Sequence, residues 1–396
     1  MDHDLQVALL SQCLELTQRG EPYSTEPETF VPVAKYVDAD RFKRETALMR
    51  SRMNVVGHAS QVSGRGDFIT RELLGTPIIV VRGHDDRVRA FVNVCRHRGA
   101  TLELRDHGRC KRFVCPYHAW TYDTEGALKS VRNKEGFPTL DLDDTKLVEL
   151  QCAEAAGLLW VCPDKPAGPW EPDEATQRLL SELESLGSAD SVVFAKDKKV
   201  WHANWKLIVD GGLESYHFKV AHRDTIAQFF PDNVSTFEFL GDHVRTVLPR
   251  QSIVALADQP KEEWDIRAHT HVVYSVAPNT SLLFQERHYE LIMMSPIAID
   301  QTLIEVLTVV PDPGPRGHSE NAQNFWALNH AFTTKTLDED FALGEQIQRG
   351  MATGANEFFR FATFEGALSE WHRRSEEKLA KTATDAGCGS GLVGID

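Results

Sequence analysis

Residues 95–118, CRHRGATLELRDHGRCKRFVCPYH, hold two thiol and imidazole pairs, Cys95-x-His97 and Cys115-x2-His118, with seventeen residues between them. An excursion of that length can return the second pair to the first, so two tight turns can present four ligands to one metal centre. Zinc accepts two sulfurs and two nitrogens, but zinc fingers usually place a Cys-x2-4-Cys pair ahead of a His-x3-5-His pair. Here both pairs are mixed, which favours a 2Fe-2S cluster in which one iron takes both cysteines and the other both histidines. Gly99-Ala100 and Pro116-Tyr117 stand where two ligand turns need small or turn-forming residues. Cys110 is a rival for Cys115, but only Cys115 has a histidine three positions on. Chance pairing among 16 His and 7 Cys is the alternative.

Imidazole in place of thiolate lowers the negative charge on such a cluster. Its potential rises to about −150 to +300 mV, against about −400 mV for an all-cysteine ferredoxin. The centre would therefore accept electrons readily from a flavin or ferredoxin donor. Between the ligands lie Arg96, Arg98, Arg105, Arg109, Lys111 and Arg112 against only Glu103 and Asp106. This basic island is either a solvated loop or a docking face for an acidic donor or an acidic neighbouring subunit.

The island stands out because the chain as a whole is acidic, with a formal net charge of −15 over 396 residues. That charge argues against nucleic acid or anionic membranes as partners. No apolar run approaches the ~18 residues of a spanning helix, and MDHDLQVALL lacks the plan of a signal peptide, so a cytoplasmic protein is expected. Seven scattered cysteines make no disulfide framework; Cys13, Cys110, Cys152, Cys162 and Cys388 read as ordinary thiols.

Leu5, Leu9, Cys13 and Leu16 recur at helical intervals, and Glu21-Pro22 closes that helix. From about 52 to 163 the chain breaks into short apolar runs, among them DFITREL, TPIIVVRG, VRAFVNV and GLLWVCP, which predict small antiparallel sheets carrying the ligand turns. Asp85-Asp86 and Asp123-x-x-Gly126 read as hairpin turns. PDKPAGPWEPDE, residues 163–174, is a proline-rich acidic connector and the predicted domain boundary. A helix ended by Gly187 follows. Alternating runs such as TFEFLGDHVRTVLPR, HYELIMMSPIAI and TLIEVLTVVP then predict a second antiparallel sheet. Helical spacing returns over 319–375, and the small-residue tail KTATDAGCGSGLVGID is expected to fray.

A second group of metal-type residues lies in NWKLIVDGGLESYHFKVAHRDT, residues 204–225. Asp210, Glu214 and His217 are four and three apart, so a helix would put them on one face. His222 follows His217 by five, about 140° round a regular helix, so the helix must end or bulge before it. Two histidines alone read more readily as satisfied core residues than as ligands. A carboxylate would complete a 2-His-1-carboxylate site for Fe(II), and Asp338, Glu339 and Asp340 compete for that role. On a helix Asp340 shares a stripe with Leu337, Gly344 and Ile347, so it alone would point into the apolar face.

The runs NVCRHRGATL and CPYHAWTYDTEGAL resemble the cluster domain of the Rieske non-haem iron oxygenases, although most of that family has Gly where this chain has Ala119. Asn204-Trp205-Lys206, Glu214-x-Tyr216-His217 and Ala221-His222 are similar to the catalytic domain of their alpha subunits. The resemblance covers about 30 to 375 and implies an α+β protein in three parts. Residues 1–51 would form a helical segment packing on the catalytic domain, 52–163 a small all-β Rieske domain, and 164–396 a catalytic domain with an antiparallel sheet flanked by helices, of helix-grip type.

The resemblance further implies a Rieske 2Fe-2S cluster on Cys95, His97, Cys115 and His118, and a mononuclear Fe(II) on His217, His222 and Asp340. Glu214 would match the acid that links an iron histidine to a cluster histidine, here His118, on the neighbouring subunit of a homotrimer. Asp210 stands where relatives often have Asn near the open metal face, and Gly211-Gly212 replaces bulkier residues. The implied function is a terminal oxygenase that uses O2 to hydroxylate or oxidatively demethylate a small organic substrate, aromatic or quaternary ammonium. An electron-transfer protein without oxygenase activity and a structural zinc protein are the other readings. No Gly-x-Gly-x-x-Gly fingerprint occurs, so electrons would come from a separate NAD(P)H-dependent flavin reductase or a ferredoxin.

Overall fold

The apolar runs after residue 52 form strands in the computed structural model, which describes residues 1–24 and 27–388. The chain divides into two compact units, one built from residues 49–196 and 307–323, the other from 2–48, 197–306 and the stretch from 324 onward. The first unit thus runs beyond the proline-rich connector and includes the helix Glu174–Ser185. Asp173 caps that helix by accepting from Thr176 N at 2.8 Å, and Gly187 follows in the left-handed region at φ 81°.

In the first unit a seven-stranded sheet runs in the order Asn54–His58, Leu158–Pro166, Glu149–Ala155, Val88–Val92, Thr76–Arg82, Asp67–Leu73, His107–Arg109. A second sheet joins Arg112–Val114, Thr121–Asp123 and Leu128–Ser130. Ile78 to Val81 are all fully buried, which is why that run is apolar at every position instead of every second one. Phe68, Phe91, Phe113, Trp120 and Tyr122 pack with Cys95 and Cys115 into one core. Both expected hairpin turns form: Gly83 N donates to Arg87 O at 2.9 Å around Asp85-Asp86, and Gly126 N donates to Asp123 O at 3.2 Å. Gly126 sits at φ 87°, and a Cβ there would come within 2.5 Å of the Phe91 ring.

The second unit holds most of a seven-stranded sheet ordered Ser191–Trp201, Gln301–Pro311, Tyr289–Ala298, Thr280–Phe284, Thr270–Val276, His243–Pro249, Thr236–Leu240. From Thr236 to Ala298 each strand pairs antiparallel with the next, as the period-two runs predict. The helix His3–Arg19 lies against this sheet, with Cys13 Sγ 3.7 Å from Thr236 Oγ1. Its buried stripe is Leu10, Cys13 and Leu14, while Leu5, Leu9 and Leu16 are only partly covered.

The C-terminal part comprises the helices Glu320–Met351 and Gly366–Cys388. Between them the strand Phe358–Phe361 pairs with Thr29–Pro32, a pairing the helical reading of 319–375 does not include. Of the tail expected to fray, residues 389–396 lie outside the described residues. No described helix is long and apolar enough to cross a membrane.

Candidate metal centres

The first turn follows the strand Val88–Val92 and is closed by its own backbone. Cys95 N donates to Ala100 O at 2.8 Å, Gly99 N donates to Cys95 O at 3.0 Å, and Val94 bridges Thr101. Asn93 ties down the far side through its Nδ2 to Glu103 O at 2.8 Å. The second turn joins Arg112–Val114 to Thr121–Asp123 in the same way, with Cys115 N donating to Trp120 O at 2.9 Å and Ala119 N to Cys115 O at 3.0 Å. Gly99 and Ala119 take matching left-handed conformations, φ 77° and 60°. The alanine therefore occupies a position that favours glycine.

The two turns bring all four predicted ligands into one place. Both cysteines are buried and both histidines are half-buried. His97 Nδ1 and His118 Nδ1 face each other at 3.1 Å, a separation that requires either a shared proton or a shared ion. Trp120 stacks on the His97 ring at 4.8 Å and 9°, and the Tyr122 hydroxyl lies 3.5 Å from Cys95 Sγ while accepting from Arg96 N at 3.0 Å. These supports fit a cluster with sulfurs inside and imidazoles at its edge. Cys110, the rival thiol, packs against the core beside these turns, and burial pushes it up to about 11.

Several expected helical relations fail in residues 204–225. The helix is only Trp205–Gly211, and a further short one spans Phe218–Ala221, so Glu214 and His217 lie on the intervening turn instead of sharing a helix face with Asp210. His217 and His222 are the N-cap and C-cap of the short helix. This explains how residues five apart can face one point. Their ring centroids lie 5.0 Å apart.

Asp340 completes this arrangement from the helix Glu320–Met351. Its Oδ1 lies 2.9 Å from His222 Nε2 and 3.3 Å from His217 Nε2, and the three ligand atoms lie within 4.8 Å of one another. His217 Nε2 is buried, and its 3.3 Å approach to Asp340 Oδ1 falls short of a well-formed hydrogen bond, so the nitrogen is available to an ion. Burial opposes charge on His217, but Asp340 and Glu214 outweigh it and raise the imidazole to about 10. Asp340 is lowered, its burial outweighed by the two histidines. Protons here balance the carboxylates, and metal binding would displace them. The donor set, two imidazoles and one carboxylate with open positions, suits Fe(II).

The three neighbouring acids part company. Glu339 Oε2 meets His222 Nδ1 at 2.9 Å and accepts from Thr225 Oγ1 at 2.7 Å, which sets the His222 ring with Nε2 toward Asp340. Asp338 lies 3.7 Å from Lys199 Nζ. The acid that the stripe argument favours is the one that lies beside both histidines, but the stripe itself is only partly apolar and covered, because Ile347 is 43% exposed and a Cβ at Gly344 would make only ordinary contacts. Glu339 and Thr225 were not singled out as supports; the acid's adjacency to Asp340 on a helix was the available signal.

Glu214 and Asp210 also differ. Glu214 binds the outer nitrogen of His217 and accepts from the backbone N–H of Tyr216 and His217. Asp210 instead takes the Tyr36 hydroxyl at 2.6 Å and lies 2.9 Å from His372 Nε2. It is thus engaged in a buried network with Tyr36 and His372. Asn204-Trp205-Lys206 anchors the same helix: Asn204 caps it through Lys206 N at 3.0 Å and donates to Tyr36 O and Ile299 O, while Lys206 Nζ reaches Glu45 at 2.6 Å.

Residues 52–141 match the Rieske [2Fe-2S] domain family, and residues 188–381 match the family of the ring hydroxylating alpha subunit (catalytic domain). The carnitine monooxygenase oxygenase subunit of Escherichia coli (strain K12) is 36% identical over 195 residues, covering 48% of this chain and 52% of that one. The 2-aminobenzenesulfonate 2,3-dioxygenase subunit alpha of Alcaligenes sp is 32% identical over 186 residues, covering 46% and 47%. The chain thus matches about half the length of these curated relatives. Among solved structures, the quaternary ammonium Rieske monooxygenase CntA in complex with L-carnitine superposes with a TM-score of 0.73 at 22% identity, over 92% of this chain and 98% of that one, a likeness of fold. With a Rieske domain preceding a ring-hydroxylating catalytic domain, the chain belongs to the Rieske non-haem iron oxygenase alpha subunits.

Proposed function

We propose that this chain is a terminal oxygenase that uses O2 and externally supplied electrons to hydroxylate or oxidatively demethylate a small organic substrate at a mononuclear Fe(II). The observation that carries the reading is the convergence of His217, His222 and Asp340, whose ligand atoms lie within 4.8 Å of one another. Iron held there would bind and activate oxygen at positions the three protein ligands leave open. Glu339 and Glu214 fix the two imidazoles through their outer nitrogens. Phe218 and Phe230 pack with Leu248 and Val273 into an apolar cluster beside the two histidines. An electron-transfer protein or a structural zinc protein would have no use for this second group.

Replacing His217 or Asp340 by Ala should remove one iron per chain and leave the visible spectrum of the cluster intact. Unchanged iron content in either variant would reject the assignment. In the same reading Glu214 passes electrons from the His118 edge of a neighbouring chain in a homotrimer to His217. Glu214→Gln should keep both metals while uncoupling O2 consumption from product, and full coupling would refute the bridge.

The electron donor is an NAD(P)H-dependent flavin reductase, with or without a ferredoxin, and a cytoplasmic setting follows from where that reductant is found. Arg105 and Arg109 pair with Glu103 and Asp67, at 2.7 Å and 2.5 Å. Arg96, Arg98, Lys111 and Arg112 are exposed and carry no ion pair among the described residues, Arg98 lying against Tyr117, so these four cations are available to meet an acidic donor. Both substrate classes, aromatic and quaternary ammonium, find support in the named relatives.

A further inference from the structure

One cation stands inside the segment that carries the two histidine ligands. Lys219 lies between His217 and His222 on the short helix Phe218–Ala221, is half-buried, and has no ion pair among the described residues. Its ammonium instead donates to two main-chain carbonyls further along the chain, Ala227 O at 2.8 Å and Phe230 O at 2.7 Å. Both acceptor residues are buried. Hydrogen bonds from an ammonium to a carbonyl are stronger than neutral ones, and two of the three N–H donors are engaged here.

These contacts matter because the ligand helix is too short to hold itself. Four residues make about one turn, and the bond that reaches the second ligand is a long one: His222 N donates to Phe218 O at 3.3 Å, against 2.8 Å from Ala221 N to His217 O. The groups that hold the His222 backbone come after it. Thr225 N, Ala227 N and Thr225 Oγ1 donate to His222 O at 3.0, 3.1 and 3.3 Å. Thr225 is itself held by Glu339, whereas Ala227 is held by Lys219. The one peptide segment therefore accepts from Lys219 through its carbonyl and donates to His222 through its N–H. Phe230, the second acceptor, is fixed further by Gln251 Nε2 at 3.0 Å and by its ring against Phe218 at 5.3 Å.

We infer that Lys219 is a positioning residue for the mononuclear iron, holding the backbone of His222 in place through Ala227 and Phe230. The inference rests on the iron site of the oxygenase reading and deepens it. Glu339 orients the His222 ring from its outer nitrogen, and Lys219 fixes the main chain from which that ring projects.

The test follows the loss of mononuclear iron from the anaerobic holoenzyme after addition of excess Fe(II) chelator, with the cluster spectrum recorded on the same sample. Lys219→Met keeps the apolar stem and removes the donors; it should release iron about tenfold faster than wild type with the cluster spectrum unchanged. Lys219→Arg can reach both carbonyls and should recover most of the wild-type rate. Lys219→Gln, able to keep one of the two bonds, should fall between them and carries the test should the methionine variant not fold. Tyr36→Phe removes a buried hydrogen bond from the same unit without touching this segment, and should release iron as wild type does. A wild-type release rate in Lys219→Met and Lys219→Gln, no recovery in Lys219→Arg, or equal acceleration in Tyr36→Phe would overturn the assignment. Iron that remains after His217→Ala would instead refute the iron site, so the two failures are distinguishable.

Discussion

The Cys/His turns and the His/His/Asp group assemble metal-type ligands by opposite routes. The first takes its four ligands from 24 consecutive residues on two similar turns, each closed by backbone hydrogen bonds around its cysteine. The second takes two ligands from the ends of a four-residue helix and the third from a helix more than a hundred residues further on. Turns of the first kind are specified locally. The second group exists only once distant elements have packed, and its ligands rely on helpers: Glu339 for His222, Glu214 for His217, and the Lys206–Glu45 pair with Asn204 for the preceding helix.

The sharpest way to break this comparison is to remove one ligand from each side. Cys115→Ala should abolish the cluster absorbance and destabilise the first unit, because the cysteine is part of its core. Asp340→Ala should empty the second site alone and lower activity by more than about a hundredfold, above the range for losing a supporting residue. Loss of both metals in either variant, measured by iron content and cluster spectroscopy, would mean that the sites do not assemble independently.

Glu339→Gln comes next. It keeps the shape of the group that orients His222 but removes the charge, and should weaken Fe(II) binding about 10–100-fold while the cluster is unaffected. Metal titration of the apo protein measures this, and affinity equal to wild type would show that His222 needs no such support.

Smaller effects sharpen the contrast further. Tyr36→Phe leaves Asp210 without its 2.6 Å hydroxyl donor and should cost about 1–3 kcal/mol, seen as a fall of several degrees in Tm, with metal content unchanged. Iron loss in this variant would reassign Asp210 to the metal site. Ala119→Gly relieves a left-handed alanine in the second ligand turn and should stabilise by no more than about 1 kcal/mol. A destabilised glycine variant would mean that the alanine side chain is needed at that turn.

Much of this was legible before folding. The mixed Cys/His pairs identified one site because its turns are local, short apolar runs between turn signals identified the sheets of the first unit, and period-two runs identified the second unit's sheet because alternation reports on which face is buried. The helical relation among Asp210, Glu214 and His217 was misread. Spacing of three and four assumes an uninterrupted helix, and Gly211-Gly212 ends it before Glu214.

By itself, then, the amino-acid order determined the ligand types, the cluster turns and the alternation of the strands, since each depends on residues close together in the chain. Only the tertiary structure decided that Asp340 meets both histidines while Glu339 holds the outer nitrogen of one, and that Asp210 faces Tyr36 and His372. Those outcomes depend on how a helix is rotated and which sheet face it covers, and long-range packing sets both.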